Sequence, residues 1–405
     1  MSALDKGIAR ALELGCPAQL AAVIREFVTT LCECLADQKV GVLLVGSASR
    51  GELSWHDSDD KVELFSDVEF LVGVEHRDRA RHSDIDSRAK RIAQAADLGE
   101  FFHIDYTFIE WSQLPKLDTK FFVFESKECG IDLCRNELAP HLPATTPANL
   151  NYKELNEILV HRLCSIVHAI PQDFFSACVS ADANQKLALN LAKNTLDITT
   201  WLHPYESSTL VAGFGNRLRT WQETQLKGLK ISNFFVAEDI QYLQSCLALR
   251  NAPSTPVESR QMLHKTLDMY SRAIRYCKHM NGIAETTPVS KFSASVKLFD
   301  EYRLRSRVAQ SASILRHARQ TGFLRLFTNL FGVRRGLAVQ ICMNLISAAV
   351  DAARDEVSAS RFLDRARKHL GRVIVVPVSD KYEFSTRWFD TLAVFSKHQQ
   401  ITQNF

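Results

Sequence analysis

The sequence has no apolar run long enough to cross a bilayer. The longest candidate, Leu337 to Val350, is broken by Gln340, Asn344 and Ser347. Near its start it has no apolar core of signal-peptide type; Asp5, Lys6, Arg10 and Glu13 stand there instead. It holds ten cysteines but no C-x-x-C pair and no Cys/His cluster at zinc-finger spacing. Most of the cysteines sit among apolar residues, so they read as reduced, packed thiols, and a cytoplasmic protein is expected. There is no internal repeat and no low-complexity tract. The stretch GFGNR at 213–217 is no dinucleotide fingerprint, because no strand-like run precedes it; it reads as an interhelical turn. A helical membrane span, a zinc finger and a solenoid are thereby set aside.

What is present is ordinary in bulk and uneven in charge. The 405 residues suffice for two or three domains, and 46% hydrophobic with 23% charged residues fits a globular chain. The net charge of +3 hides an asymmetry. Residues 1–148 carry 16 Lys+Arg against 25 Asp+Glu, whereas residues 286–405 carry 19 against 9. The two ends either dock on one another or are simply solvated, or the basic end holds an acidic partner or surface.

The most informative stretch is 41–72. An apolar run, Gly41 to Val45, ends in Gly46-Ser47-Ala48-Ser49-Arg50-Gly51-Glu52. A second apolar run follows, carrying Asp67 and Glu69 two residues apart. In a strand such residues share a face, which sets two carboxylates side by side. That crowding is stable mainly around a cation, and hard oxygen donors suit Mg²⁺. The backbone N–H groups of the glycine-serine turn suit phosphate oxygens. In FFHIDYTFI, 101–109, His103, Asp105 and Thr107 alternate with Ile104, Tyr106 and Phe108. Taken by itself, Asp105 reads as a solvent-facing residue on an edge strand.

The order of strand, Gly-Ser turn and alternating carboxylates resembles the nucleotidyltransferase superfamily, the type of DNA polymerase beta. Arg50-Gly51-Glu52 is similar to the G-S-x-x-R-G-E form of bacterial members. The resemblance covers about the first third of the chain. The spacer between Ser47 and Asp67 is longer than the family's, so 55–64 looks like an insertion. The resemblance implies Asp67, Glu69 and Asp105 as metal-binding catalytic residues, with Mg²⁺ or Mn²⁺ as cofactor. It implies an NTP co-substrate held by Gly46, Ser47 and Arg50, and transfer of a nucleoside monophosphate to an acceptor hydroxyl with loss of pyrophosphate. Arg50 has the alternative of an ion pair with Glu52. Glu in place of Asp at 69 keeps the charge and adds a methylene. A small-molecule acceptor is expected ahead of a protein side chain or an RNA end, and no templated nucleic acid.

Helical periodicity is read over 17–38, 84–98, 151–169, 184–203, 234–250 and 258–280, and short strands over 40–45 and 121–124. Residues 129–133 read as a small hairpin closing the sheet. LPATTPANL (142–150) and NGIAETTPVS (281–290) read as linkers. The expected fold is α+β. A small mixed-sheet domain (1–148) precedes a helical bundle (149–285) and a basic, mostly helical region (286–405). Lys186, Asn190, Lys193 and Asp197 share one helix face. Small bacterial nucleotidyltransferases of the kanamycin-nucleotidyltransferase kind lend a helical-domain lysine to the triphosphate, which implies Lys193, then Lys186. The alternative is a solvated polar face. In the last region, 323–331 reads as an apolar helix face flanked by Arg325, Arg334 and Arg335, and 373–378 as a lone strand.

Two other functions remain open. One is an inactive protein of the same fold acting as a regulatory or antitoxin-type partner. The other is a helical nuclease using arginine and histidine, for which Arg162 with His168, or Arg135 with His141, are weak matches.

Overall fold

The computed structural model describes residues 2–58, 61–100, 102–176, 179–225, 230–253, 255–287, 334–352, 355–370, 388–393 and 395–396. The fold is mixed α+β, with a small mixed sheet and many helices. The chain divides into two compact units. The first comprises residues 1–151, 203–227 and 240–255; the second comprises 152–202, 228–239 and 256–405.

The first unit opens with α1 (Ala3–Glu13) and α2 (Ala18–Cys34). The helix α1 is not foreseen from apolar spacing, but Ser2 and Asp5 form a capping box that marks its start. Next come β1 (Gly41–Val45), α3 (Gly46–Arg50), β2 (Trp55–Ser58), β3 (Lys61–Leu64), β4 (Val68–Val74), α4 (Arg79–Ala96) and β5 (Ile104–Glu110). After them come α5 (Phe121–Cys129) and β6 (Ile131–Asp132). Strands pair in the order β5-β4-β1-β6. The β1–β4 and β1–β6 pairs are antiparallel, and β4–β5 is parallel across the α4 crossover. Within 55–64, β2 and β3 pair antiparallel with each other, separate from this sheet.

Strand alternation sorts the sheet into two faces. Val42, Leu44, Val68, Phe70 and Val72 join Phe27 and Leu31 of α2 and Ile85 of α4 in one core. The Phe27 ring lies 4.9 Å from that of Phe70 and 5.4 Å from that of Tyr106. Burial of one such side chain is worth about 1.5–3 kcal/mol. On the other face, Leu43, Val45, Leu71 and Ile109 pack with Leu114, Val123, Leu138 and Leu142.

Two local expectations are corrected. FFVF (121–124) is not a strand but the first turn of α5. Its aromatic and β-branched residues favour strand intrinsically, yet Phe121, Val123, Glu125 and Ser126 are all buried on the helix. Residues 129–133 are not a hairpin: α5 ends at Cys129 and β6 pairs with β1 as a sheet edge.

The second unit is helical where described. It contains α6 (Tyr152–Leu155) and α7 (Glu157–Ala169), then most of α8 (Ala181–Glu206). The helix α9 (Phe214–Gln225) and most of α10 (Ala237–Asn251) belong to the first unit. The second unit continues with α11 (Ser259–Met280), α12 (Arg334–Asp351) and α13 (Glu356–Leu370). The helix α12 packs on α7 and α13. No helix among the described residues is long and apolar enough to cross a membrane. The readings at 323–331 and 373–378 fall outside the described residues, apart from Arg334 and Arg335 on α12.

The polar face of α8 is packed rather than solvated. Asp197 pairs with Arg162 of α7 at 2.7 Å, and Asn190 donates to Ser165. Buried Asp239 likewise takes two cations, Lys265 at 2.8 Å and Arg272.

Candidate metal centre

The parallel register of β4 and β5 sets Val68 opposite Ile104 and Glu69 opposite Asp105. The Val68 N–H donates to the His103 carbonyl at 3.1 Å, which pins the two strand starts together. Asp67 stands just before β4, and His103 just before β5. By alternation Asp67, Glu69, His103 and Asp105 share the face of Leu71 and Ile109.

His103 Nε2 lies 3.2 Å from Asp105 Oδ2 and 3.9 Å from Asp67 Oδ2. One donor atom from each of the three residues lies within 4.8 Å of the others. Among the described residues no other trio of His, Cys, Asp or Glu does so. Two carboxylate oxygens and an imidazole nitrogen form a donor set that suits a divalent cation, with the nitrogen shifting preference from Mg²⁺ towards Mn²⁺ and its neighbours. The Asp67 side chain is 23% exposed, while Asp105 and His103 are 57% and 58% exposed. The cluster is open on one side, leaving room for a further ligand.

Glu69 is held differently. It lies opposite Val45 in the β1–β4 register, next to the start of α3. Gly46 has φ +72°, and a Cβ built on it would come within 1.9 Å of Glu69 Oε2. Only glycine accepts both that backbone and that approach. Glu69 is not part of the Asp67–His103–Asp105 cluster. Ser47 is half-buried, and its carbonyl accepts the Glu52 N–H at 2.9 Å.

Arg50 is engaged by carboxylates. Its Nε lies 2.8 Å from Glu52 and its Nη1 3.1 Å from Glu125. Glu125, on α5, also accepts from Arg217 of α9 at 2.7 Å and from the Gly213 N–H at 3.1 Å. Burial pushes the Glu125 carboxyl up, but Arg217, Arg50 and these hydrogen bonds outweigh it and hold it below its ordinary value. The Phe214 N–H donates to Glu52, and Arg250 donates to the Glu52 carbonyl at 3.0 Å. The guanidiniums of Arg50, Arg217 and Arg250 lie 6.0, 5.0 and 5.6 Å from the Phe214 ring centre. GFGNR is thus the start of α9, bound to the R-G-E segment.

Lys193 and Lys186 both lie on α8 in the second unit. Lys193 sits near His161, whose imidazole is pushed below its ordinary value chiefly by burial, then by Arg162, against the pull of Asp197 and with a smaller contribution from Lys193. Lys186 pairs with Asp182 at 2.8 Å. Arg162 is committed to Asp197, and the His168 ring lies 6.4 Å from that of Phe395, 15° from parallel.

Sequence reasoning placed His103 on the face of Asp105 but missed it as a donor. The alternation that marked Asp105 marks it equally. Glu125 and Arg217 carried no local signal, since their partners are distant in sequence. Comparison with known proteins finds no matching family model, no matching curated protein and no matching solved structure.

Proposed function

We propose that the chain is a metal-dependent nucleotidyltransferase, moving a nucleoside monophosphate from an NTP to an acceptor hydroxyl and releasing pyrophosphate. The observation that carries this reading is the convergence of Asp67, His103 and Asp105 on one open cluster. The Gly46-Ser47 turn against Glu69 and its resemblance to the nucleotidyltransferase signature support it. A bound Mg²⁺ or Mn²⁺ supplies charge neutralisation for the triphosphate and for the departing pyrophosphate. Asp67 and Asp105 would hold that ion through oxygen, and His103 through nitrogen. Asp105, the more exposed carboxylate, takes the proton of the acceptor hydroxyl. Glu69 completes the negative wall beside the turn, and Ser47 with the turn backbone receives the β- and γ-phosphates. Arg50, clamped by Glu52 and Glu125, holds the turn in place. The acceptor is a small molecule.

The test is thermal unfolding with ATP, GTP, CTP and UTP, each with and without Mg²⁺ or Mn²⁺, beside an Asp67→Ala/Glu69→Ala variant. A ligand of the folded state raises the melting temperature by mass action. Stabilisation that needs both metal and carboxylates supports the reading and identifies the base. No shift with any nucleotide overturns it in favour of a second reading, a regulatory, antitoxin-type protein of this fold without catalysis. The observation behind that second reading is that Arg50 is already neutralised by Glu52 and Glu125.

A further inference from the structure

Cys32, in the last turn of α2, and Cys134, just beyond β6, face each other with their sulfurs 3.6 Å apart. Both thiols are partly exposed and neither is in a disulfide. The helix α2 covers one sheet face and β6 is the sheet edge beside β1, so the pair spans two layers of the first unit. We propose that Cys32 and Cys134 form a reversible redox pair, closed to a disulfide by a low-molecular-weight disulfide such as oxidised glutathione.

A disulfide bond is about 2.05 Å long, so the sulfurs must approach by roughly 1.5 Å. Rotation about the side-chain torsions at a helix end and in a loop provides that movement. The two thiols are unequal. The hydrogen bond from Cys134 lowers the Cys32 thiol against the effect of its burial, while that bond and burial push Cys134 up. Cys32 is therefore the attacking sulfur. Its thiolate attacks one sulfur of oxidised glutathione, forming a mixed disulfide and expelling one glutathione thiolate. Cys134 then loses its proton to solvent and attacks the Cys32 sulfur, expelling the second. Two protein thiols are oxidised to one disulfide, and one glutathione disulfide is reduced to two thiols.

The neighbouring cysteines set the selectivity. Cys164 and Cys342 also lie 3.6 Å apart, but both are buried and out of reach of an oxidant in solution. Cys34 lies two residues from Cys32 and points elsewhere on the helix, towards Asp84 at 3.8 Å. Burial is the main cause that pushes its thiol up.

The two cysteines are 102 positions apart, and every strand among the described residues lies between them. The bond would close that span and restrict the unfolded chain. The test equilibrates the full-length protein with reduced and oxidised glutathione at stepped ratios. Free thiols are then blocked, and peptides are mapped by mass spectrometry alongside a thermal scan. The expected result is a Cys32–Cys134 linkage that appears with oxidation, reverses with dithiothreitol and raises the melting temperature by several degrees. Cys164 and Cys342 become blocked only after unfolding. In Cys134→Ser the reaction stops at a glutathione adduct on Cys32, and the temperature rise disappears. Recovery of both residues as free thiols at the most oxidising ratio overturns the proposal. So does an adduct on Cys32 of the wild-type protein without the linkage. Both readouts come from the unsubstituted chain, so they stand even if a variant folds poorly.

Discussion

Arg217 and Glu125 meet at 2.7 Å, with the arginine side chain 1% exposed and the glutamate side chain 11% exposed. Removing one member of such a pair strands the other charge in a poorly hydrated place, at a cost of about 3–5 kcal/mol. Glu125→Ala is therefore expected to lower the unfolding free energy by that much, read as a lower urea midpoint at unchanged slope. Because Arg50 shares the carboxylate, Arg50→Ala should cost less, since Arg217 keeps its partner.

The same carboxylate gives stability a pH dependence. Its folded-state pKa lies below the ordinary value of 4.5. Its contribution is thus complete above that value and is lost as pH falls through the lower folded-state value. The difference in urea midpoint between wild type and Glu125→Gln should shrink as pH is lowered below 4.5. A difference that stays constant through that range would remove the ion pair from the explanation.

His203 adds a separate slope at higher pH. It is buried, its Nε2 has no hydrogen-bond partner, and burial and then Arg217 lower it from 6.5 to about 4. The unfolded chain binds this proton between those two values and the folded chain does not. Stability is full above 6.5 and falls towards about 4. The loss is about 3 kcal/mol at the acid end, from about 1.4 kcal/mol per pKa unit. His203→Gln should flatten urea midpoints over that interval and leave the lower-pH dependence of Glu125 in place.

Gly46→Ala tests the contact between the turn and Glu69. The new methyl group must displace the carboxylate and hold a positive φ, costing about 1–3 kcal/mol. Calorimetry should show a lower melting temperature and, where wild type is stabilised by NTP with metal, a smaller rise.

His103→Ala removes the nitrogen donor and leaves both aspartates. Titration calorimetry should show weaker Mn²⁺ binding, by about 10-fold or more as for other metal-site partners. Mg²⁺ binding should change less, since it depends on oxygen. Equal loss for both ions would show that His103 acts by shaping the loop.

Some of this arrangement is written locally and some is not. Alternation over 67–70 and 103–108 is a period of two, so the faces of Asp67, Glu69, His103 and Asp105 follow from the sequence. The apolar runs of α2, α4, α7 and α11 were legible for the same reason, at helical period. FFVF was misread because four residues cannot distinguish the two periods, and packing of Glu125 and Ser126 decided for helix. The partners of Arg50 were illegible, because Glu125 is 75 positions away and Glu125's own partner Arg217 another 92. No window along the chain holds both ends of that network.

The discontinuity of the first unit bears on how the protein is made. On the ribosome the whole sheet is synthesised while Arg217 and Arg250 are still untranslated. Until they emerge, Glu125 and Glu52 have only Arg50 among their three arginine partners. The nascent sheet thus waits for the chain to return before its charges are settled. Stalled chains ending before α9 should be cut by protease within 46–52 and 121–129, where chains extended past α10 are protected.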